Sequence, residues 1–399
     1  MTRLASLNKP LICLAAGGTG GHVFPAMAVA ETLSARGYRT EFFTDRRGAK
    51  IAHASNSDAQ SSMPGVTTPD ITTIASASPF QRGIIRRFSA LFKLSFGAVQ
   101  CLVHFCLKRP VAIIGFGGYP SFAPLFAGGL LLIPGILHEQ NAFLGRANHL
   151  MARRAGNLAL SWENTKNLPN AIHIEVTGMP VRDIFNADSS AAKRQKPAKA
   201  QKVDKLYLAV FGGSQGAAIF AKLVPAAIDL LPDAIKNRLV ITQQARADQV
   251  GALEDLYAEM SVAATIAPFF ADIASHIRQS DLIISRAGAS SVAELAALGA
   301  PTIFIPFPHA MDDHQTQNAM QMQNLGGGLC LAEADLDAEK LATHLTDLLD
   351  DPALLVDMSS KAKQLSKSDA AANIADMVEA CVTGNASSAS PSSNQGAAI

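Results

Sequence analysis

With 399 residues, 48% of them apolar and only 17% charged, the chain is too long for one ordinary hydrophobic core and suits two domains and a tail. The charged share lies below the roughly 25% usual in soluble domains, which points to sheets covered on both faces or to a membrane. The net charge of +1 hides an asymmetry: residues 1–180 carry 17 basic against 8 acidic side chains, or +9, and the remainder carries −8. One half is therefore suited to an anionic surface and the other is not.

In chain order, MTRLASLNKP leads into a short strand and not into an apolar signal segment, so the chain is expected to stay in the cytoplasm. Leu11–Ala16 is an apolar run ending in Gly17-Gly-Thr-Gly-Gly-His22, and a helical pattern follows from about Phe24 to Arg36. The loop is not a P-loop, because Gly-Lys-Ser/Thr is missing, nor the dinucleotide fingerprint, because Val23 stands at its last glycine. It is either a turn closing a strand–helix junction or a cradle whose N–H groups approach a phosphate. His22 stands where a general base is useful and is equally readable as a structural histidine.

Further strands are expected at Thr40–Thr44, Val111–Ile114, Gly135–His138, Leu158–Leu160 and His173–Val176. Their apolar character without alternation fits parallel strands buried on both faces. Between them, Pro79–Phe96 interleaves Phe80, Ile84, Ile85, Phe88, Leu91, Phe92 and Phe96 with Arg82, Arg86, Arg87 and Lys93. That composition suits an interfacial helix on anionic lipid, or a domain helix with basic flanks. The uncharged stretch from Pro120 to Leu137 is broken by prolines and glycines and reads as buried helix, turn and strand, not as a membrane span.

The polar, Lys/Ala-rich segment 187–205 is expected to be a mobile loop, with a linker drawn at 183–205. The strand–glycine-loop–helix unit then returns: Leu206–Phe211, Gly212-Gly-Ser-Gln-Gly216, and a helix to Leu231. Strands follow at Leu239–Thr242, Ala263–Ile266, Leu282–Ile284 and Thr302–Ile305. The repeat predicts two doubly wound parallel-sheet α/β domains, 1–182 and 206–383. The last helix is able to pack back on the first domain, and 384–399 is a low-complexity tail expected to be disordered. Ser214 offers a hydroxyl and an N–H to a diphosphate. Glu294, about a turn into a helix starting near Ala289, either accepts ribose hydroxyls or is a solvated helix glutamate. The cysteines Cys13, Cys101, Cys106, Cys330 and Cys381 show no CxxC spacing and suit reduced thiols. His309 and His314 lie five apart and not i,i+4, which argues against a metal site, and Asp335-Leu-Asp337 reads as a chance DxD.

Taken together, GGTGGHVFPAMAVA, GFGGYPSFAP, LHEQNAFLGRAN, TGMPVR, FGGSQGA and SRAGASSVAELAALGAPTIFIPFPHAMDDHQTQNA resemble the MurG-type transferases. These are members of glycosyltransferase family 28 with the GT-B fold, two Rossmann-like domains facing a cleft. The resemblance runs from about Leu11 to Asn318. It implies inverting transfer of N-acetylglucosamine from UDP-N-acetylglucosamine to the C4 hydroxyl of the lipid-linked muramyl-pentapeptide, lipid I, giving lipid II. It assigns the general base to His22 and donor contacts to Thr19, Gly20, Gly21, Asn141, Arg182, Ser214, Phe270, Ala289, Ser290, Ser291, Val292, Ala293, Glu294 and Gln315. Tyr119 and Glu139 match polar residues on the acceptor side.

The resemblance further implies no cofactor or essential metal, no nucleic acid, and a peripheral place on the cytoplasmic face of the bacterial inner membrane. Anionic lipids and other cell-wall synthesis proteins are the expected partners. Alternatives from the residues alone are a related GT-B enzyme with another lipid acceptor and a non-catalytic nucleotide-sugar-binding scaffold. The chain departs from the family at Thr177–Pro180, at Ala289-Ser290-Ser291, and in a longer loop between His309 and Asn318.

Overall fold

A computed structural model describes residues 9–59, 68–79, 83–185, 205–213 and 217–384. The chain divides into two compact units: Met1–Gln140 with Leu144–Pro180 and Asp369–Ile399, and Asn141–Phe143 with Val181–Ser368.

In the first unit the order is β1 (Leu11–Ala15), α1 (Gly20–Ala35), β2 (Arg39–Thr44), α2 (Arg46–Ala59), β3 (Asp70–Thr73), α3 (Ile84–Leu107), β4 (Ala112–Gly115), α4 (Phe122–Leu130), β5 (Gly135–Glu139), α5 (Arg146–Ala155), β6 (Gly156–Leu160) and β7 (His173–Val176). Seven parallel strands form one sheet in the order β3-β2-β1-β4-β5-β6-β7. β1 and β4 are wholly buried because both their faces are covered. On one face α1 buries Val23, Ala26, Met27, Val29, Ala30 and Leu33. α1 is apolar around most of its girth because the C-terminal helix, Ala370–Thr383, covers it with Ile374, Ala375, Met377 and Val378. Arg36 seals that contact with ion pairs to Asp376 and Glu379 at 2.5 and 3.0 Å.

α3 lies on the other face and buries Ala90, Leu94, Gly97, Cys101 and Phe105. At Gly97 a side chain would collide with the Ala75 carbonyl oxygen, so the absence of Cβ permits the close approach. The stretch Pro120–Leu137 resolves into a 3₁₀ turn at Tyr119–Ser121, α4 and β5, as its breakers imply.

The second unit runs β8 (Leu206–Phe211), α6 (Phe220–Asp229), α7 (Asp233–Lys236), β9 (Leu239–Gln244), α8 (Val250–Glu259), β10 (Ala263–Ala267), α9 (Ile273–Gln279), β11 (Leu282–Ser285), α10 (Ala289–Leu298), β12 (Thr302–Phe304), α11 (His314–Asn324), β13 (Gly328–Cys330), α12 (Ala338–Leu349) and α13 (Pro352–Gln364). Its six parallel strands pair in the order β10-β9-β8-β11-β12-β13. Asp337, half of the chance DxD, caps α12 by accepting from the Lys340 N–H at 2.8 Å. Beginning from the first strand of each unit, the two sheets share the order 3-2-1-4-5-6. That order reverses direction between the first and fourth strands, which opens a crevice at their carboxyl ends.

Candidate functional site

In the first unit the reversal falls between β1 and β4. β1 ends in Gly17–His22, with Gly18 at φ +43° and Thr19 exposed before the first turn of α1. Gly20 and Gly21 open that helix, whose first N–H groups have no intrahelical acceptor. β4 ends in Phe116-Gly117-Gly118, both glycines at positive φ (87° and 74°), and Tyr119 follows at the 3₁₀ turn. A Cβ at Gly117 would stand 3.3 Å from His22 Cε1, and one at Gly118 3.5 Å from its Cδ2. Gly117 therefore leaves room for the imidazole, and Gly118 for the Gly17 backbone, whose Cα would be 3.0 Å from an added Cβ.

β5 delivers the neighbouring polar run. Gln140, 2% exposed, donates from Nε2 to the Phe116 carbonyl at 2.6 Å, and its Oε1 meets His22 Nδ1 at 2.7 Å. The Trp162 indole donates to the Gln140 main-chain carbonyl at 2.7 Å, which holds the residue in place. His138 is fully buried, and its Nε2–H donates to the Gly178 carbonyl at 3.0 Å. Burial lowers the His138 pKa to about 4, with the neighbouring His22 adding to the effect and the Gly178 bond opposing it. His138 is therefore neutral near pH 7. Glu139, expected on the acceptor side, is 2% exposed and accepts from the Gly145 N–H at 2.9 Å and from Asn148 Nδ2 at 2.8 Å. Its carboxylate thereby organises the start of α5.

In the second unit the reversal falls between β8 and β11. β8 ends at Gly212 and Gly213, the latter at φ +77°. Ser214 lies outside the described residues. β11 ends at Ser285, and α10 begins at Ala289 after an uncapped Gly288. Ser290 and Ser291 sit half-buried in its first turn, with Ala289, Val292 and Ala293 buried against the domain. Glu294 stands one turn further on, its side chain only 14% exposed, and pairs with Arg182 at 3.1 Å. Burial raises the Glu294 pKa, and the Arg182 guanidinium opposes that rise. Arg182 also stacks on Phe185, 4.7 Å from the ring centroid. Glu294 is thus a largely desolvated carboxylate paired with a cation, not a solvated helix residue.

Gln315, at the start of α11, accepts from the N–H groups of Phe307 (2.9 Å) and Ala287 (3.3 Å) through Oε1, so its amide nitrogen is the group that can donate. Phe270 is half-buried, its ring edge-on to Phe211 and His276 at 6.1 and 4.8 Å. Asn141 belongs to this unit by its contacts. Its Oδ1 accepts from Asn318 Nδ2 at 3.2 Å, while Asn318 also accepts from the Ala142 N–H at 2.8 Å and donates to the Ala287 carbonyl at 3.1 Å.

Asn318 and Gln140 are two residues that reading the sequence left without a role. Both are buried amides, each with a partner more than a hundred positions away, so no local spacing announces them. Arg286 is a third case. It donates to the carbonyls of Ile305 and Pro306 at 2.9 Å, pairs with Glu333 at 2.6 Å and lies over the Phe220 ring, tying together the ends of β11 and β12.

Two all-parallel Rossmann-like units in one chain, each with a glycine loop at its strand-order reversal, are the components of the GT-B glycosyltransferases. Residues 12–160 match the glycosyltransferase family 28 N-terminal domain and residues 207–374 its C-terminal domain, and the chain belongs to that family. It is 39% identical to the UDP-N-acetylglucosamine–N-acetylmuramyl-(pentapeptide) pyrophosphoryl-undecaprenol N-acetylglucosamine transferase of Agrobacterium fabrum over 98% of this chain and 99% of that protein. The like-named protein of Rhodospirillum centenum is 40% identical over 92% and 93% of the two chains. Among solved structures, Acinetobacter baumannii MurG superposes with a TM-score of 0.73 at 29% identity, covering 93% of this chain and 99% of that one.

Proposed function

We propose that the chain transfers N-acetylglucosamine from UDP-N-acetylglucosamine to the C4 hydroxyl of undecaprenyl-diphospho-N-acetylmuramoyl-pentapeptide, with inversion at the anomeric carbon. The carrying observation is the pair of groups at the two strand-order reversals: His22 in the first sheet and the buried Glu294–Arg182 pair in the second. Full-length relatives bearing the transferase name support the same reading.

His22 takes the proton of the acceptor C4 hydroxyl as that oxygen bonds to the anomeric carbon. The bond from the anomeric carbon to the diphosphate oxygen breaks, and UDP leaves with the electron pair. Glu294 accepts the ribose hydroxyls, Phe270 flanks the uracil, and Asn141 and Gln315 hold the sugar. Thr19, Gly20, Gly21, Ser214, Arg182 and the first turn of α10 (Ala289–Ala293) receive the diphosphate and nucleotide. Fixed N–H groups and a helix start meet the charge that develops on the leaving group without reorganising. Tyr119 and Glu139 belong to the acceptor side, Glu139 by holding the backbone of α5's start.

The acceptor's isoprenoid places the enzyme at a bilayer, on the cytoplasmic face of the inner membrane. α3 supports this role. Ile84, Ile85, Phe88, Leu91, Phe92, Phe96, Val99, Val103 and Leu107 are all more than half exposed along one stripe of the helix. By length and composition α3 is the one helix among the described residues able to cross a membrane. Its opposite face is built into the domain core through Cys101 and Phe105, so the helix lies in the interface and does not span. Burying a side chain of this size is worth about 1.5–3 kcal/mol, and Arg86, Arg87 and Lys93 add attraction to anionic headgroups. Phe80 and Arg82 lie outside the described residues.

The test is incubation of the purified chain with labelled UDP-N-acetylglucosamine and lipid I, followed by chromatography of the lipid fraction. Label in a disaccharide lipid supports the reading. Donor binding without a lipid product contradicts it and leaves a nucleotide-sugar-binding scaffold, and label only on a different lipid acceptor contradicts the acceptor assignment.

A further inference from the structure

The reading of His22 as the base leaves one question open: which ring nitrogen carries the lone pair. A neutral imidazole has one donor and one acceptor nitrogen, and the hydrogen bond made by one nitrogen decides the role of the other. Here the chain of bonds has a definite polarity. The Phe116 carbonyl can only accept, so the Gln140 group 2.6 Å from it is the amide nitrogen, Nε2. Gln140 Oε1 must then face His22 Nδ1, 2.7 Å away, and an oxygen of an amide can only accept. His22 Nδ1 is therefore the protonated nitrogen and Nε2 the basic one.

The side chain of Gln140 has no freedom to flip the arrangement. It is 2% exposed, its main chain is held by the Trp162 indole, and rotating the amide would set its oxygen against the Phe116 carbonyl. Gly117 meanwhile keeps the imidazole's own space clear.

We propose that Gln140 is a positioning residue that fixes His22 in the tautomer with Nδ1 protonated, so that Nε2 takes the acceptor's proton. The inference rests on the proposed role of His22 and supplies what that role requires: an acceptor nitrogen preset before substrate arrives. Gln140 is not a catalytic residue, because it acts only through the imidazole. As the hydroxyl proton moves to Nε2, the ring becomes cationic with Nδ1–H still donating to Oε1. No proton passes to the amide, and the bond to Gln140 strengthens as the charge develops.

The experiment is 15N NMR of the full chain labelled at its histidines, with the His22 signals assigned by their loss in His22→Ala, alongside kinetics of Gln140→Met and Gln140→Glu. Above the histidine titration range, wild-type Nδ1 is expected at a pyrrole-type shift and Nε2 at a pyridine-type shift. Gln140→Met removes the acceptor and should move the ring toward the Nε2–H tautomer. It should lower kcat by about 10- to 100-fold, short of the loss expected for removing a base, with both KM values nearly unchanged. Gln140→Glu in its protonated form donates to the Phe116 carbonyl and presents its other oxygen to Nδ1, and so should restore the tautomer and part of kcat.

A wild-type ring protonated on Nε2 overturns the proposal, and this measurement needs no variant to fold. A Gln140→Met protein with unchanged tautomer and kcat overturns it equally. A tautomer that changes while kcat does not would overturn the role of His22 as base and leave only the bond to Gln140 standing.

Discussion

The two α/β units share a strand order and differ in what they place at its reversal. In the first, a histidine bonded to a glutamine amide stands beside a second histidine that burial keeps uncharged. The second holds ion pairs, Glu294 with Arg182 and Arg286 with Glu333, each with one member less than about a sixth exposed. A base must titrate and turn over near neutrality, so an imidazole bonded to an uncharged amide suits the first unit. A nucleotide site must present charge permanently, and pairing lets a carboxylate remain ionised where burial alone would neutralise it. On the proposed function, the same fold hosts chemistry in one copy and recognition in the other, and only side chains separate the two.

The comparison is most sharply tested at His22. Replacing it with alanine should reduce kcat by roughly 10²–10⁴ under saturating substrates, measured by lipid product formation, without loss of UDP binding. The first unit's other distinguishing feature is its exposed apolar helix. Replacing Arg86, Arg87 and Lys93 with glutamate removes three attractive charges of about 1 kcal/mol each, so partition to anionic vesicles should fall by about 100-fold or more in co-sedimentation. Turnover of a water-soluble acceptor analogue should fall far less, because that substrate is reached without a lipid surface.

Within the second unit, pH separates the carboxylate from its partner. In the proposed donor site, ionised Glu294 is the form able to accept ribose hydroxyls from both of its oxygens. Donor affinity should therefore be full above its raised pKa and fall as pH drops through it. In Arg182→Met the opposing cation is gone, the pKa rises further, and the loss of affinity should begin at higher pH. An unshifted profile by calorimetry would break the pairing argument. The smallest effect is expected at Arg36. Its bonds to Asp376 and Glu379 are partly exposed, with side chains 27%, 65% and 36% accessible, and Arg36→Ala should cost no more than about 1 kcal/mol in denaturant unfolding.

Much of this was legible from residue order alone. Strand–glycine–helix appears twice, and the apolar runs at 11–16 and 206–211 became the central strands of two sheets. Two strands escaped, β3 and β13. Both lie at sheet edges; β3 is a four-residue DITT with no strong apolar signal, and β13 is three residues long. α3 was legible to Phe96, but its outward stripe continues through Val99, Val103 and Leu107, where no basic residue marks it. The resemblance supplied His22, Glu294 and Gln315. It did not supply Gln140 or Asn318, because a buried amide declares itself only through partners brought together by folding.

The division of labour between the units is tested most directly by one calorimetric comparison: UDP affinity in His22→Ala against Glu294→Gln. The account predicts that the first variant binds UDP within about twofold of wild type, while the second loses about 10- to 100-fold, the worth of hydrogen bonds to a charged group. A His22→Ala protein that no longer binds UDP, beside a Glu294→Gln protein that binds it normally, would contradict the account.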